Sequence, residues 1–201
     1  MLGRVARGLR GVVWGLAVVY PLALYWALTY HGPVAAAGVA AGSGALWGLR
    51  VALAPRGAGA LWGLPLAVLA LSALTLVTDD GRLLLALPVL INLALLVVFG
   101  GSLRSGPSYV ERVARLMDPE LTRAKVQHCR QFTWVWVGFF ACNGAVIAGL
   151  ALADRRAAWA IYSSVVSYVL IGCLLLLEWV VRRWRFGGGR VGRGDVEGVT
   201  R

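Results

Sequence analysis

Apolar residues fall in six blocks of about twenty along this chain, near 11–30, 33–54, 59–77, 83–103, 131–153 and 157–181, separated by short charged or Gly/Pro-containing breaks. A helix rises about 1.5 Å per residue, so each block can cross the roughly 30 Å of a bilayer's hydrocarbon. Backbone groups there find no water and must bond within their own segment, which makes helix the predicted state of every block. The pattern predicts an all-α membrane protein, six transmembrane helices in a single domain over residues 1–186. From Gly187 on the chain is Gly/Arg-rich, and a disordered tail is expected for 187–201. The second block is rich in Ala and Gly, with Gly38 and Gly42, then Gly44 and Gly48, spaced four apart. Small residues at that spacing let helix backbones approach closely, so this helix is expected inside the bundle.

Only the 104–130 connection is long enough to hold structure of its own. Ser108-Tyr109-Val110-Glu111 reads as a capping box, the serine accepting from the Glu111 amide while the glutamate reaches back, and starts a helix at Tyr109. Tyr109, Val113, Leu116 and Met117 then share one face and Glu111, Arg112 and Arg115 the other, giving an amphipathic helix between the fourth and fifth spans. Asp118-Pro119-Glu120 has the order of an N-cap, a proline at the first helical position and an acid in the first turn. It predicts a second helix that carries Arg123, Lys125, His128 and Arg130 straight into the fifth span. A basic amphipathic helix beside a membrane either lies at the interface with its arginines on anionic headgroups or docks a cytoplasmic partner. Glu111, Arg112, Arg115, Arg123 and Arg130 are the candidate residues of that loop.

Composition agrees with the pattern: 59% of residues are hydrophobic, 14% are charged and the mean hydropathy is +0.74. The net charge of +11 would suggest nucleic acid on a soluble face, but here it lies between and beyond the apolar blocks, where topology explains it. With the N-terminus inside, seventeen of the basic residues fall on the cytoplasmic side and three, Arg82, Arg155 and Arg156, outside. That alternation predicts an even number of spans and both ends in the cytoplasm of a bacterial inner-membrane protein. The competing reading of the first block is a cleavable signal peptide, since Arg4, Arg7 and Arg10 precede it. Pro21, Tyr25, Trp26 and Tyr30 fit an interfacial aromatic belt better than a cleavage site.

Polar residues inside apolar blocks are functional candidates, because they must be solvated by protein. Asn92 in the fourth span, Asn143 in the fifth, and Tyr168 and Glu178 in the sixth make a candidate intramembrane pocket; the alternative for the asparagines is a packing bond between helices. Glu178 and Arg182 are four apart, which suits an anchoring pair more than a proton carrier. Cys129, Cys142 and Cys173 form no C-x-x-C pair, and His128 has no second ligand at helical spacing, so no disulfide, metal or cofactor is expected. No G-x-S-x-G, P-loop, paired-acid or His-rich motif supplies an activated nucleophile or metal, so an enzyme is not expected.

Stretches such as LPVLINLALLVVFGGSLRSGPSYVERVARLMDPEL and RQFTWVWVGFFACNGAVIAGLAL resemble a family of bacterial integral membrane proteins. The likeness runs over residues 84–183 on Pro88, Asn92, Gly100, Ser102, the 111–115 run, Asp118-Pro119, Arg130, Thr133, Trp136, Asn143-Gly144, Tyr168 and Glu178. Its members are often encoded beside fatty-acid- or polyketide-like synthesis genes, including aryl polyene clusters. Ser163-Ser164 departs from the Asn-Gly usual there. The resemblance implies a setting in lipid or polyene assembly, with cytoplasmic acyl or polyene synthesis proteins as partners, and no established reaction. The leading expectation is a non-enzymatic accessory or scaffold for synthesis or export of such products. The alternatives are a small transporter or lipid-handling carrier using the polar pocket, and a septation-type envelope-organising protein, to which the Trp134/Trp136, Phe139-Phe140 and Asn143 pattern is faintly similar. Oligomerisation is left open.

Overall fold

A computed structural model describes residues 19–52 and 63–186. Residues 11–18 of the first expected span, Arg56 and the expected tail 187–201 lie outside them. Among the described residues all regular structure is helical: α1 (19–30), α2 (Gly32–Ala52), α3 (Gly63–Thr78), α4 (Leu87–Ser102), α5 (Tyr109–Arg115), α6 (Arg123–Leu152), α7 (Arg156–Ile161) and α8 (Ser167–Phe186). A 3₁₀ stretch, Gly81–Ala86, leads straight into α4, and a π turn, Tyr162–Val166, joins α7 to α8 without a break. Each expected block therefore carries a helix. Four continuous stretches, Gly32–Ala52, Gly81–Ser102, Arg123–Leu152 and Arg156–Phe186, are long and apolar enough to cross a membrane, while α3 is shorter at 16 residues.

Three tight turns gather at one end of the bundle. Gly32 takes φ +81 between α1 and α2, and Asp79 (φ 53) and Asp154 (φ 52) close the α3–α4 and α6–α7 turns. Aspartate is among the few side chains that tolerate left-handed backbone, because its short carboxylate can bond locally. Beside the first of these, the Asp80 carboxylate accepts from the Arg82 amide at 3.0 Å. Arg82 lies 3.6 Å from Asp154, which also holds Arg156 at 2.9 Å, tying two turns together. Gly81 packs so close to α1 that a Cβ there would come within 2.3 Å of Leu28 Cδ2. The long loop and the end of α8 occupy the opposite end, where Phe186 meets His128 edge to face at 5.6 Å.

Two apolar clusters fill the bundle. One, near the tight turns, is built on Leu24, Ala36, Ala40, Leu84, Ile147 and Trp159; the other, near the long loop, on Phe99, Val110, Phe132, Trp136 and Phe140. The packed face of α2 is Ala36, Ala40, Gly44 and Gly48, and a Cβ on Gly44 would stand 3.0 Å from Val68 Cγ1 of α3. Gly38 and Gly42 point away from it and are exposed. Of the expected four, Gly44 makes the close approach to α3, and Gly48 is buried. Within α8, Ser167 alone is buried.

The loop corrects two local expectations and shows which face of α5 packs. Ser108 is the N-cap of α5, but its hydroxyl makes no capping bond and Glu111 turns to Arg115 instead of reaching back. The first-turn amides are met from neighbouring helices: Ser102 Oγ accepts from the Tyr109 amide at 2.9 Å and Thr133 Oγ1 from the Val110 amide at 3.4 Å. Asp118-Pro119 does not open the second helix, which starts at Arg123 behind Thr122; the Asp118 carboxylate instead ties the intervening turn to α6 through Lys125 Nζ at 2.7 Å. The face of α5 that packs is Val110, Glu111 and Ala114, whereas Val113, Leu116 and Met117 are exposed.

Candidate functional site

Asn92 and Asn143 meet at the centre of the bundle. In the first turn of α4 the Pro88 carbonyl accepts from Asn92 Nδ2 at 2.8 Å, which turns Asn92 Oδ1 toward α6. Asn143 Nδ2 donates to that oxygen at 3.0 Å, and Ser167 Oγ donates to Asn143 Oδ1 at 3.0 Å. A polar chain thus links α4, α6 and α8 while every amide oxygen in it is bonded. Gly144 makes room, since a Cβ there would stand 3.1 Å from Asn92 Cβ. Ser167 is the member that sequence reasoning left out of the site. A serine in an apolar run was visible, but not which neighbour it would meet.

Tyr168 and Glu178 do not join this chain. Tyr168 is half-buried about 100° round α8 from Ser167, and Glu178 lies eleven residues farther along, roughly 16 Å. Glu178 faces the Trp136 indole and Arg182 near the basic end. Above Ser167, the π turn buries Ser163 and Ser164, whose hydroxyls find no protein partner. An open depression of about 610 Å³ lies between α1 and the α6–α7 turn, lined by Tyr25, Thr29, Arg155 and Arg156. Another, of about 390 Å³ and almost wholly apolar, lies between α6 and α8. Neither takes in any of the four candidate pocket residues.

The loop residues divide into those that hold the loop and those that face outward. Glu111 is buried and its carboxylate receives Arg115 through Nε at 3.0 Å and Nη2 at 2.8 Å. Arg115 also donates to the Pro119 carbonyl, Arg112 to the Pro107 carbonyl at 2.9 Å, and Arg130 to the Leu103 carbonyl at 3.0 Å. The Lys125 ammonium holds the Asp118 carboxyl below its ordinary pKa. Arg104 and Arg123 are exposed, and their side chains make no hydrogen bond or ion pair among the described residues. The result is a short helix fixed to the bundle by Val110, Glu111 and Ala114, with Val113, Leu116 and Met117 presented outward among arginines.

The two ends of the bundle differ in charge. The tight-turn end carries Arg82, Arg155 and Arg156 beside Asp79, Asp80 and Asp154, while the loop end gathers Arg104, Arg112, Arg115, Arg123, Lys125 and Arg130 with the arginines that close α8. Among the described residues no three His, Cys, Asp or Glu side chains group as a metal site. Compared with protein families, curated proteins and solved structures, the chain matches none.

Proposed function

We propose that this chain is a six-span inner-membrane protein with both ends in the cytoplasm. It works as a non-enzymatic accessory that supports lipid or polyene product synthesis or export through the 104–130 loop. The observation that carries the reading is the mounting of α5: its buried face of Val110, Glu111 and Ala114 and the bonds of its first-turn amides to Ser102 and Thr133 hold it on the bundle, while Leu116 and Met117 stay 85% and 82% exposed beside Arg112. A helix fixed on one face and apolar on the other is suited to hold a partner in a set place. The arginines around it favour an acidic one. The polar chain of Asn92, Asn143 and Ser167 supports the accessory reading over a carrier, because its members satisfy one another and lie outside both depressions.

Cysteines introduced singly for Arg123 and Arg155, and mapped by mass spectrometry after labelling intact cells with an impermeant maleimide, test the orientation. Labelling at 155 and protection at 123 is expected, and the reverse pattern sinks the topology. A photo-crosslinking residue at 116 or 117 in the same cells tests the role. Adducts to soluble acyl- or polyene-synthesis enzymes are expected, weakened in an Arg104→Gln/Arg123→Gln variant. Adducts to lipid alone would reduce α5 to an interfacial anchor and overturn the docking role.

A further inference from the structure

The apolar depression between α6 and α8 has features that a merely lipid-facing surface lacks. It runs from Val135 and Leu177 to Cys142 and Leu170, with Gly138 open in its wall. Its volume of about 390 Å³ falls within the roughly 300–1,000 Å³ of clefts that hold small ligands. Three turns of helix are about eleven residues, so residues eleven apart lie almost in line. Eleven residues before Cys142 comes Gln131, and eleven beyond Leu174 comes Arg185. These two side chains touch, Arg185 Nη1 donating to Gln131 Oε1 at 3.4 Å. The seam that is an apolar groove inside the bundle's span thus ends in a cation at its basic end.

The arginines there are not equivalent. Arg182 shares its surroundings with Glu178 and Asp118, and Arg183 lies over the Trp179 ring with Cζ 5.7 Å from the centroid. Arg185 is exposed, and among the described residues its side-chain partner is a neutral amide oxygen. Trp184 and Trp134, 85% and 60% exposed, flank the same level, where amphipathic rings favour the headgroup region. An occupant that fits must put hydrocarbon between α6 and α8 and a negative group at Arg185.

We infer that this groove is a binding site for one anionic phospholipid, an acyl chain lying between α6 and α8 and the phosphate group on Arg185. The inference rests on the reading that the chain spans a bilayer with this end at the anionic leaflet, and is independent of what the 104–130 loop binds. A basic group near an anionic surface is worth about 1 kcal/mol, equivalent to about fivefold in affinity. Gly138 offers a clean way to block the groove, because nothing lies within 4 Å of where its Cβ would be.

The test uses the full chain in nanodiscs of phosphatidylcholine and phosphatidylglycerol, with either lipid carrying a diazirine on one acyl chain, and locates adducts by peptide mass spectrometry. Phosphatidylglycerol adducts should concentrate on 135–142 and 170–177. They should fall about fivefold in Arg185→Gln, while phosphatidylcholine adducts stay as they were. Gly138→Leu should remove both from this seam, with the thermal transition of the wild type showing that it folds. Adducts spread evenly onto exposed α4 residues such as Leu93 and Val97, or equal labelling by both lipids, would overturn the site. If Arg104→Gln/Arg123→Gln loses the anionic preference and Arg185→Gln keeps it, the groove inference fails and the loop keeps the anionic contact.

Discussion

Replacing Asn143 with leucine removes the amide at the middle of the chain joining α4, α6 and α8 while keeping a side chain of similar size. Two interhelical bonds disappear, Asn143 Nδ2 to Asn92 Oδ1 and Ser167 Oγ to Asn143 Oδ1, each 3.0 Å long. Such bonds within membrane proteins average about 0.6 kcal/mol and reach about 1.7 kcal/mol, so the pair together contributes about 1 kcal/mol. The loss should stay near that figure. Asn92 Nδ2 keeps the Pro88 carbonyl, and Ser167 can turn its hydroxyl to a carbonyl one turn back on its own helix. The assay is equilibrium unfolding in mixed micelles of wild type, Asn92→Leu, Asn143→Leu and the double variant. The expected coupling between Asn92 and Asn143 is about 0.6 kcal/mol. A coupling indistinguishable from zero would refute a stabilising bond. An unchanged unfolding curve together with lost cellular function would instead mark the asparagines as a ligand site and reopen the carrier reading.

Two further outcomes follow from the ion pairs. Arg115→Met leaves the buried Glu111 carboxylate without its partner and should cost about 1–3 kcal/mol, most of it recovered when Glu111→Gln is added; equal costs in the single and double variants would show that the pair is not coupled. At the other end, the Arg156 and Arg82 guanidiniums hold the Asp154 carboxyl below its ordinary pKa of 3.8. A depressed folded pKa means that its contribution is complete above the unfolded value and is lost as pH falls through the folded one. The thermal midpoint should therefore drop below about pH 4. Asp154→Asn should show a smaller drop over that window, and an identical acid limb in both would exclude the Asp154 cluster as its source.

Helix positions along this chain were legible because hydrocarbon leaves an apolar block of about twenty residues no other way to bond its backbone. The turn at Asp154, the unbroken run of α6 from the basic loop to Leu152 and the uneven charge of the two ends could all be read from residue order. Faces could not. Where a helix is apolar nearly all round, its periodicity does not mark which side meets another helix, and the phase is decided by the shape of the neighbour. Hence Gly44 packs against α3 while Gly38 and Gly42 are exposed, and Asn143 finds Asn92 and Ser167 while Tyr168 and Glu178 lie elsewhere. The same holds for α5, where local pattern separated an apolar from a charged face but did not show that Glu111 would be buried while Leu116 and Met117 stayed exposed. Arg115 at its side and hydroxyls from Ser102 and Thr133 at its first turn made the opposite face the one that could be buried.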